Sequence, residues 1–260
     1  MSDEALLSVR DVSLRFGGVA ALDSVSFDIV EGQIVGLIGP NGAGKTSLFN
    51  CVSRLYQPTA GSIRFAGHEL LTRRAHEVIR LGIARTFQNL ALFGRMSVLD
   101  NVLVGDHYRI RSGTLASALQ LRTARRAERE AVDRALAALD IVDMRHVAQT
   151  FAASLPFASQ KRVELARALV SQPRLLLLDE PAGGLNHTEV RELGELIKRI
   201  QAHYQVTVLL VEHHMNLVMT ISDHVLVLSF GRKIAEGAPA VIRNNPAVVE
   251  AYLGTASAAA

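Results

Sequence analysis

The chain has 260 residues, 49% hydrophobic and 20% charged, a length that buries a sizeable core in one large domain. Its net charge of +3 is too small to point to nucleic acid by itself, and a single cysteine, Cys51, excludes a disulfide within the chain and suits a reducing compartment. No run reaches the roughly 18 apolar residues of a membrane span, and the acidic start Met1-Ser2-Asp3-Glu4 leads us to expect no secretory signal.

Residues 6–16 alternate (Leu7, Val9, Val12, Leu14, Phe16), residues 22–29 repeat the pattern (Val25, Phe27, Ile29), and Gly17-Gly18 lies between, which predicts two antiparallel strands. The apolar run Ile34-Val35-Gly36-Leu37-Ile38 leads into Gly39-Pro40-Asn41-Gly42-Ala43-Gly44-Lys45-Thr46-Ser47, after which Leu48, Cys51, Val52 and Leu55 recur at helical spacing. Strand, glycine-rich turn and helix are the setting of a phosphate-binding P-loop. The glycines let the main chain curl until successive N–H groups face phosphate oxygens, and the helix start adds its positive dipole. In that arrangement Lys45 reaches the β- and γ-phosphates and the Thr46 hydroxyl holds Mg²⁺. Cys51 falls on the inner face of the helix, where a thiol acts as a small apolar group.

A third short strand is predicted over 62–67. From 89 to 154 the composition shifts to helix formers, with Ala127, Ala131, Ala135 or Leu136, and Leu139 on one face of a helix over 123–139. The charge run Arg125, Arg126, Glu128, Arg129 and Glu130 then reads as a solvated face with i,i+4 pairs. Leu175-Leu176-Leu177-Leu178 is a continuous apolar run, the mark of a buried parallel strand. It ends in Asp179-Glu180, and we expect this strand beside that of the P-loop. Asp179 suits a Mg²⁺ ligand, and Glu180, pointing elsewhere, suits polarising an attacking water. A helix over 188–204, capped by Asn186 or Thr188, precedes a buried strand over 206–211. A short helix near 216–221, a hairpin across Gly231, and two small helices opened by Pro239 and Pro246 complete the chain, with a frayed Ala-rich end. Alternating strands and helices make this an α/β protein: a parallel-sheet P-loop NTPase (RecA-like) core with an N-terminal antiparallel β subdomain and an inserted α-helical subdomain. We expect one domain over 1–260, the helical insertion over 89–165 and a helical tail over 238–260.

With the P-loop and Asp179-Glu180 in place, the sequence resembles the ATP-binding subunits of ABC transporters over nearly its whole length. The resemblance implies ATP and Mg²⁺ as ligands and adenine stacking on Phe16. It makes Gln88, in Arg85-Thr86-Phe87-Gln88-Asn89, the Q-loop ligand of Mg²⁺ and water. His213 becomes the switch histidine at the γ-phosphate, although His214 follows directly. Ala182-Gly183-Gly184-Leu185-Asn186 becomes the D-loop, with Asn186 where Asp is usual.

The family's signature Leu-Ser-Gly-Gly-Gln opens a helix that contacts the γ-phosphate bound by a second subunit. This chain has Leu155-Pro156-Phe157-Ala158-Ser159 instead. Pro156 suits a first helical position with Ser154 near the cap, whereas the Ala158 methyl holds the helix start away from phosphate. Either this half of a composite site is weakened or Ser159 supplies a substitute hydroxyl. Pro156-Phe157, Arg15-Phe16-Gly17-Gly18, the 230–237 stretch and Glu250-Ala251-Tyr252-Leu253-Gly254 resemble high-affinity branched-chain amino acid importers. That branch implies a second, different ATPase subunit, two transmembrane permease subunits, indirectly a periplasmic substrate-binding protein, and a place on the cytoplasmic face of the bacterial inner membrane. A regulatory subunit that hydrolyses poorly, or an importer of urea or short amides, is the alternative. A nucleic-acid ABC protein is not expected: no long heptad run separates Lys45 from Leu155 and no basic stripe stands out. Leu90, Leu92, Phe93 and Met96 form either a docking groove for a permease helix or plain subdomain core.

Overall fold

Val9, Val12, Leu14, Val25, Phe27 and Ile63 are all buried, so the first part of the chain forms antiparallel strands with one covered face. The computed structural model describes residues 5–86, 90–107, 109 and 122–257. The chain divides into one unit of residues 1–85 with 174–260 and a second of residues 86–173. In the first unit, β1 (Ala5–Phe16), β2 (Val19–Val30), β4 (Ala60–Phe65) and β5 (His68–Glu69) pair antiparallel in the order β2-β1-β4-β5. A six-stranded sheet holds β3 (Ile34–Ile38), β6 (Ile83–Arg85), β7 (Leu175–Asp179), β8 (Thr207–Val211), β9 (His224–Ser229) and β10 (Arg232–Gly237), in the order β10-β9-β3-β8-β7-β6. Its pairs are parallel except for the β9–β10 hairpin.

The expectation that Asp179 ends a strand beside the P-loop strand needs correction, because β8 lies between β3 and β7. An apolar run marks a buried strand without naming its neighbours; here the chain leaves β7, crosses through α5 (His187–Tyr204) and returns as β8 next to β3. Strands β5 and β6, two and three residues long, are too short to carry a period. Helix α1 (Lys45–Val52) sets Leu48, Phe49, Cys51 and Val52 into one core with Val9, Leu14 and Phe65 of one sheet and Leu37, Leu177 and Leu209 of the other. Each such side chain contributes about 1.5–3 kcal/mol by burial, which holds the loop ahead of the helix in place.

In the second unit, α2 (Val98–Val104), α3 (Arg122–Ile141) and α4 (Phe157–Leu169) pack on one another. Ala131, Ala135, Ala138 and Leu139 supply the buried face of α3, while Arg126 and Glu130 pair at 2.8 Å on its outer face. This unit runs to residue 173 because α4 continues unbroken past 165. None of Leu90, Leu92, Phe93 and Met96 is buried, and Phe93 is half exposed. Their loop is shaped by buried Asn101, which accepts from the Phe93 N–H at 2.8 Å and donates to the Phe93 carbonyl at 3.0 Å. The first unit closes with α6 (Met215–Ile221), α7 (Pro239–Arg243) and α8 (Pro246–Ser257), both prolines opening their helices; Ala258–Ala260 lie outside the described residues. No helix among the described residues is long and apolar enough to cross a membrane.

Candidate functional site

Three strands end level with one another. Leu37 of β3 and Asp179 of β7 both pair with Val211 of β8, so the three segments that follow leave the same edge of the sheet. Adjacent strands stand about 4.8 Å apart, which brings Gly39–Ser47, Asp179-Glu180 and Glu212-His213 within side-chain reach of one region. The carboxyl ends of parallel strands are where open α/β sheets bind ligands.

The loop after β3 is built for close backbone approach. Gly39, Gly42 and Gly44 take φ of 153°, 77° and 99°. A Cβ on Gly39 would meet the Leu228 carbonyl at 2.1 Å and one on Gly44 the Ala21 carbonyl at 2.5 Å, whereas at Gly42 nothing stands within 4 Å. Pro40, Asn41 and Ala43 fill the turn, with the Ala43 N–H donating to the Pro40 carbonyl at 3.2 Å. Gly231, in the β9–β10 turn, donates its N–H to the Ala43 carbonyl at 3.0 Å. Burial raises the pKa of Tyr252 in α8, and the Gly39 backbone opposes that shift. Lys45 is 6% exposed and lies folded onto the loop, its Nζ donating to the Gly39 carbonyl at 2.7 Å and the Pro40 carbonyl at 2.9 Å. Burial lowers its pKa from the ordinary lysine value, and the charge of Glu180 opposes that shift. Thr46 and Ser47 open α1 directly after it.

Asp179 and Glu180 point to different partners. Asp179, 2% exposed, accepts from Arg85 Nη2 at 2.7 Å. Arg85 Nη1 also donates to Asn50 Oδ1 at 2.7 Å and Ser53 Oγ at 2.9 Å, so one guanidinium joins β6, α1 and β7. Glu180 takes a left-handed φ of 47°, and its Oε1 stands 2.5 Å from His213 Nε2. Of the two adjacent histidines it is His213 that meets Glu180, while His214 forms the N-cap position of α6.

Phe16, at the end of β1, is half exposed and meets Tyr56 edge to face, with ring centroids 5.2 Å apart. Gln88 lies outside the described residues. In the second unit, Pro156 has ψ of 152° and is the N-cap of α4 rather than its first helical residue. Extended ψ places it before the helix, so the helix opens at Phe157 with no side-chain cap. Ser154 does not cap it either, because its hydroxyl donates to the Phe151 carbonyl at 2.7 Å. Leu155 accepts from Gln160 Nε2 at 2.9 Å, Phe157 is exposed with Lys161 Nζ 5.6 Å over its ring, and Ala158 and Ser159 are partly buried in the first turn.

Two residues of the first unit's site carried no expectation. Arg85 is a lone arginine at the end of a three-residue strand, which gives no pattern to read. Glu212 did leave a signal: like Asp179 it follows a buried strand run at its terminus, here Val206–Val211, apolar but for Thr207.

The ABC transporter family profile matches residues 22–183, including the loop, Asp179 and Glu180. The chain belongs to the ABC transporter family. A second profile, that of branched-chain amino acid ATP-binding cassette transporters, matches residues 232–258. The cassette is 44% identical over 251 residues to the high-affinity branched-chain amino acid transport ATP-binding protein BraF of Pseudomonas aeruginosa, covering 96% of this chain and 98% of that protein. It is also 44% identical over 253 residues to LivG of Escherichia coli, which carries the same description, covering 97% and 99%. Among solved structures it resembles an ATP-binding cassette of an ABC transporter in its ADP conformation, at 29% identity and a TM-score of 0.84, covering 96% and 99%. As a member of this family the chain is a nucleotide-binding cassette with ATPase chemistry, on the mixed α/β fold expected of it.

Proposed function

We propose that this cassette hydrolyses ATP to drive an importer of branched-chain amino acids. One observation carries the reading: Glu180 and His213, from two neighbouring strands, stand 2.5 Å apart at the edge where the P-loop opens. The backbone of Gly39–Lys45 cradles the phosphates, and Lys45 exchanges the loop's own carbonyls for phosphate oxygens. Glu180 polarises the attacking water, and His213 holds Glu180 in place and reaches the γ-phosphate. Thr46 and Asp179 offer oxygen donors only, which fits a hard cation such as Mg²⁺, and Gln88 is the third candidate ligand. When bound, that ion neutralises charge developing on the phosphates. Phe16 is the adenine platform.

Gly39–Ser47 encloses the phosphates from one side, so a second ATPase subunit is needed to exclude water from the γ-phosphate. The Ala182–Asn186 loop and the α4 start at Leu155–Ser159 are the surfaces for it, and we infer that the partner is a different chain. Two permease subunits, reached through the loop carrying Phe93, place the cassette on the cytoplasmic face of a bacterial inner membrane. A periplasmic binding protein then delivers the cargo. The intact Glu180–His213 pair favours a hydrolysing subunit over a silent regulatory one.

Purified cassette, alone and with its partner ATPase, tests this directly. Lys45→Ala is expected to lose ATP binding, and Glu180→Gln to keep binding while turnover falls at least a hundredfold, on the order seen when a catalytic base is removed. Leucine uptake is expected to disappear from cells carrying Glu180→Gln as the sole copy. Unchanged turnover in Glu180→Gln overturns the hydrolytic assignment, and unchanged uptake overturns the cargo.

A further inference from the structure

Glu212 follows the last residue of β8 and is 2% exposed, yet the hydrolytic reading gives it no task. Its Oε1 accepts the Ala182 N–H at 2.6 Å, and its Oε2 accepts the N–H of His213 at 3.0 Å and of His214 at 3.3 Å. A buried carboxylate is costly unless its oxygens are bonded, and bonds from amides to an ionised oxygen are among the stronger ones. One side chain therefore holds two chain segments that have no strand pairing at this point.

These contacts close a ring. Glu180 reaches the His213 side chain, the His213 backbone reaches Glu212, Glu212 reaches the Ala182 backbone, and Pro181 returns to Glu180. Glu180 sits at a left-handed φ of 47°, a conformation that persists in a non-glycine residue only when its surroundings over-determine it. The Glu180 N–H bond to the Val211 carbonyl at 2.9 Å fixes one side of that turn, and the Glu212 bond to Ala182 fixes the other.

We propose that Glu212 is a positioning residue for hydrolysis, which makes the 180–182 turn and His213 move as one rigid piece. It keeps the Glu180–His213 pair in register, and it passes any displacement of the Ala182–Asn186 loop to the histidine. The assignment rests on the ATPase reading of the site. Because Glu212 touches neither the P-loop nor Lys45 by any of its bonds, its effect belongs in turnover rather than in nucleotide affinity.

Glu212→Gln tests this, since the amide keeps one acceptor oxygen and turns an NH₂ group against one of the bonded N–H donors. Its kcat for ATP is expected to fall about tenfold or more, the scale of a small misplacement of reacting groups, while the KM and Kd for ATP stay within about twofold. In a double-mutant cycle, Glu212→Gln with His213→Ala is expected to lose less than the product of the two single losses, because Glu212 acts on the Glu180–His213 pair that His213→Ala already breaks. In the unmutated protein, which avoids any folding defect, the Ala182 and His213 amides are expected to exchange hydrogen at similar rates. A wild-type kcat in Glu212→Gln, a loss of affinity in step with kcat, a loss that multiplies with that of His213→Ala, or Ala182 and His213 rates that differ more than about tenfold would each overturn the proposal. Wild-type protein that hydrolyses no ATP with its partners present instead sinks the ATPase reading itself.

Discussion

Arg85 holds the buried charge of Asp179, and both side chains are largely out of water, at 14% and 3% exposure. The guanidinium also lies 5.1 Å over the Phe49 ring, so its planar shape and its charge are both used. Removing one partner of such a pair leaves an uncompensated buried charge and costs about 3–5 kcal/mol. Arg85→Leu is therefore expected to lower urea-unfolding stability by that amount, and Arg85→Lys to recover only part of it. Cys51 gives a second residue-scale outcome. Burial pushes its thiol from 9.0 up to about 11, so the folded state favours the neutral form. That contribution is fully present below pH 9 and is lost as pH rises through 11, because the unfolded chain ionises first. Maleimide labelling at pH 8 is expected to be negligible in native protein and rapid in guanidinium. The burial of Cys51 is legible from its helical spacing and is borne out, whereas Arg85 is a single letter without a pattern and its pairing follows only from what the fold stacks around it.

At the scale of elements, the capping of α5 turns an ambiguity into a definite bond. Asn186 Oδ1 accepts the N–H of Thr188 at 3.0 Å and of Glu189 at 3.1 Å, and Glu189 returns a bond to the Asn186 N–H at 2.8 Å. Asn186→Ala is expected to cost about 1 kcal/mol, and Asn186→Asp to be neutral or slightly stabilising, since a carboxylate there also suits the helix dipole; thermal melts read both. The start of α4 behaves differently. Its first turn has no side-chain cap, so those N–H groups are free of any competing oxygen from the cap. Ala158→Gly and Ser159→Gln, assayed with the partner ATPase, are expected to change the ATPase rate; no change in either removes a role for these departures. The helix expected over 188–204 matches α5 to within a residue, whereas the α4 start comes only from the resemblance and is expected one residue early, at Pro156. The caps depended on ψ at a single position, which letters alone do not carry.

For the whole molecule, ligand linkage gives the broadest test. A ligand at about 100 times its Kd stabilises the folded state by about 2.7 kcal/mol, which for a chain of this size is a Tm rise of about 5–10 °C. ATP with Mg²⁺ is expected to produce that rise in the wild type and in Glu180→Gln, and none in Lys45→Ala, by differential scanning fluorimetry. A rise in Lys45→Ala removes the P-loop from the binding account.

The glycine-rich loop between β3 and α1, the acid pair at the end of β7 and the alternation of strands with helices could all be read from the letters, because each depends on neighbours a few residues apart. Glycine spacing limits backbone shape locally, and an unbroken apolar run has to be buried wherever it lies. The order of strands in the sheet pairs Val35 with His224, the Arg85 bond to Asp179 joins residues 94 positions apart, and the ring through Glu212 ties the turn after β7 to the end of β8. Contacts at that range depend on which crossover places which strand beside which, and they exist only once the sheet has closed.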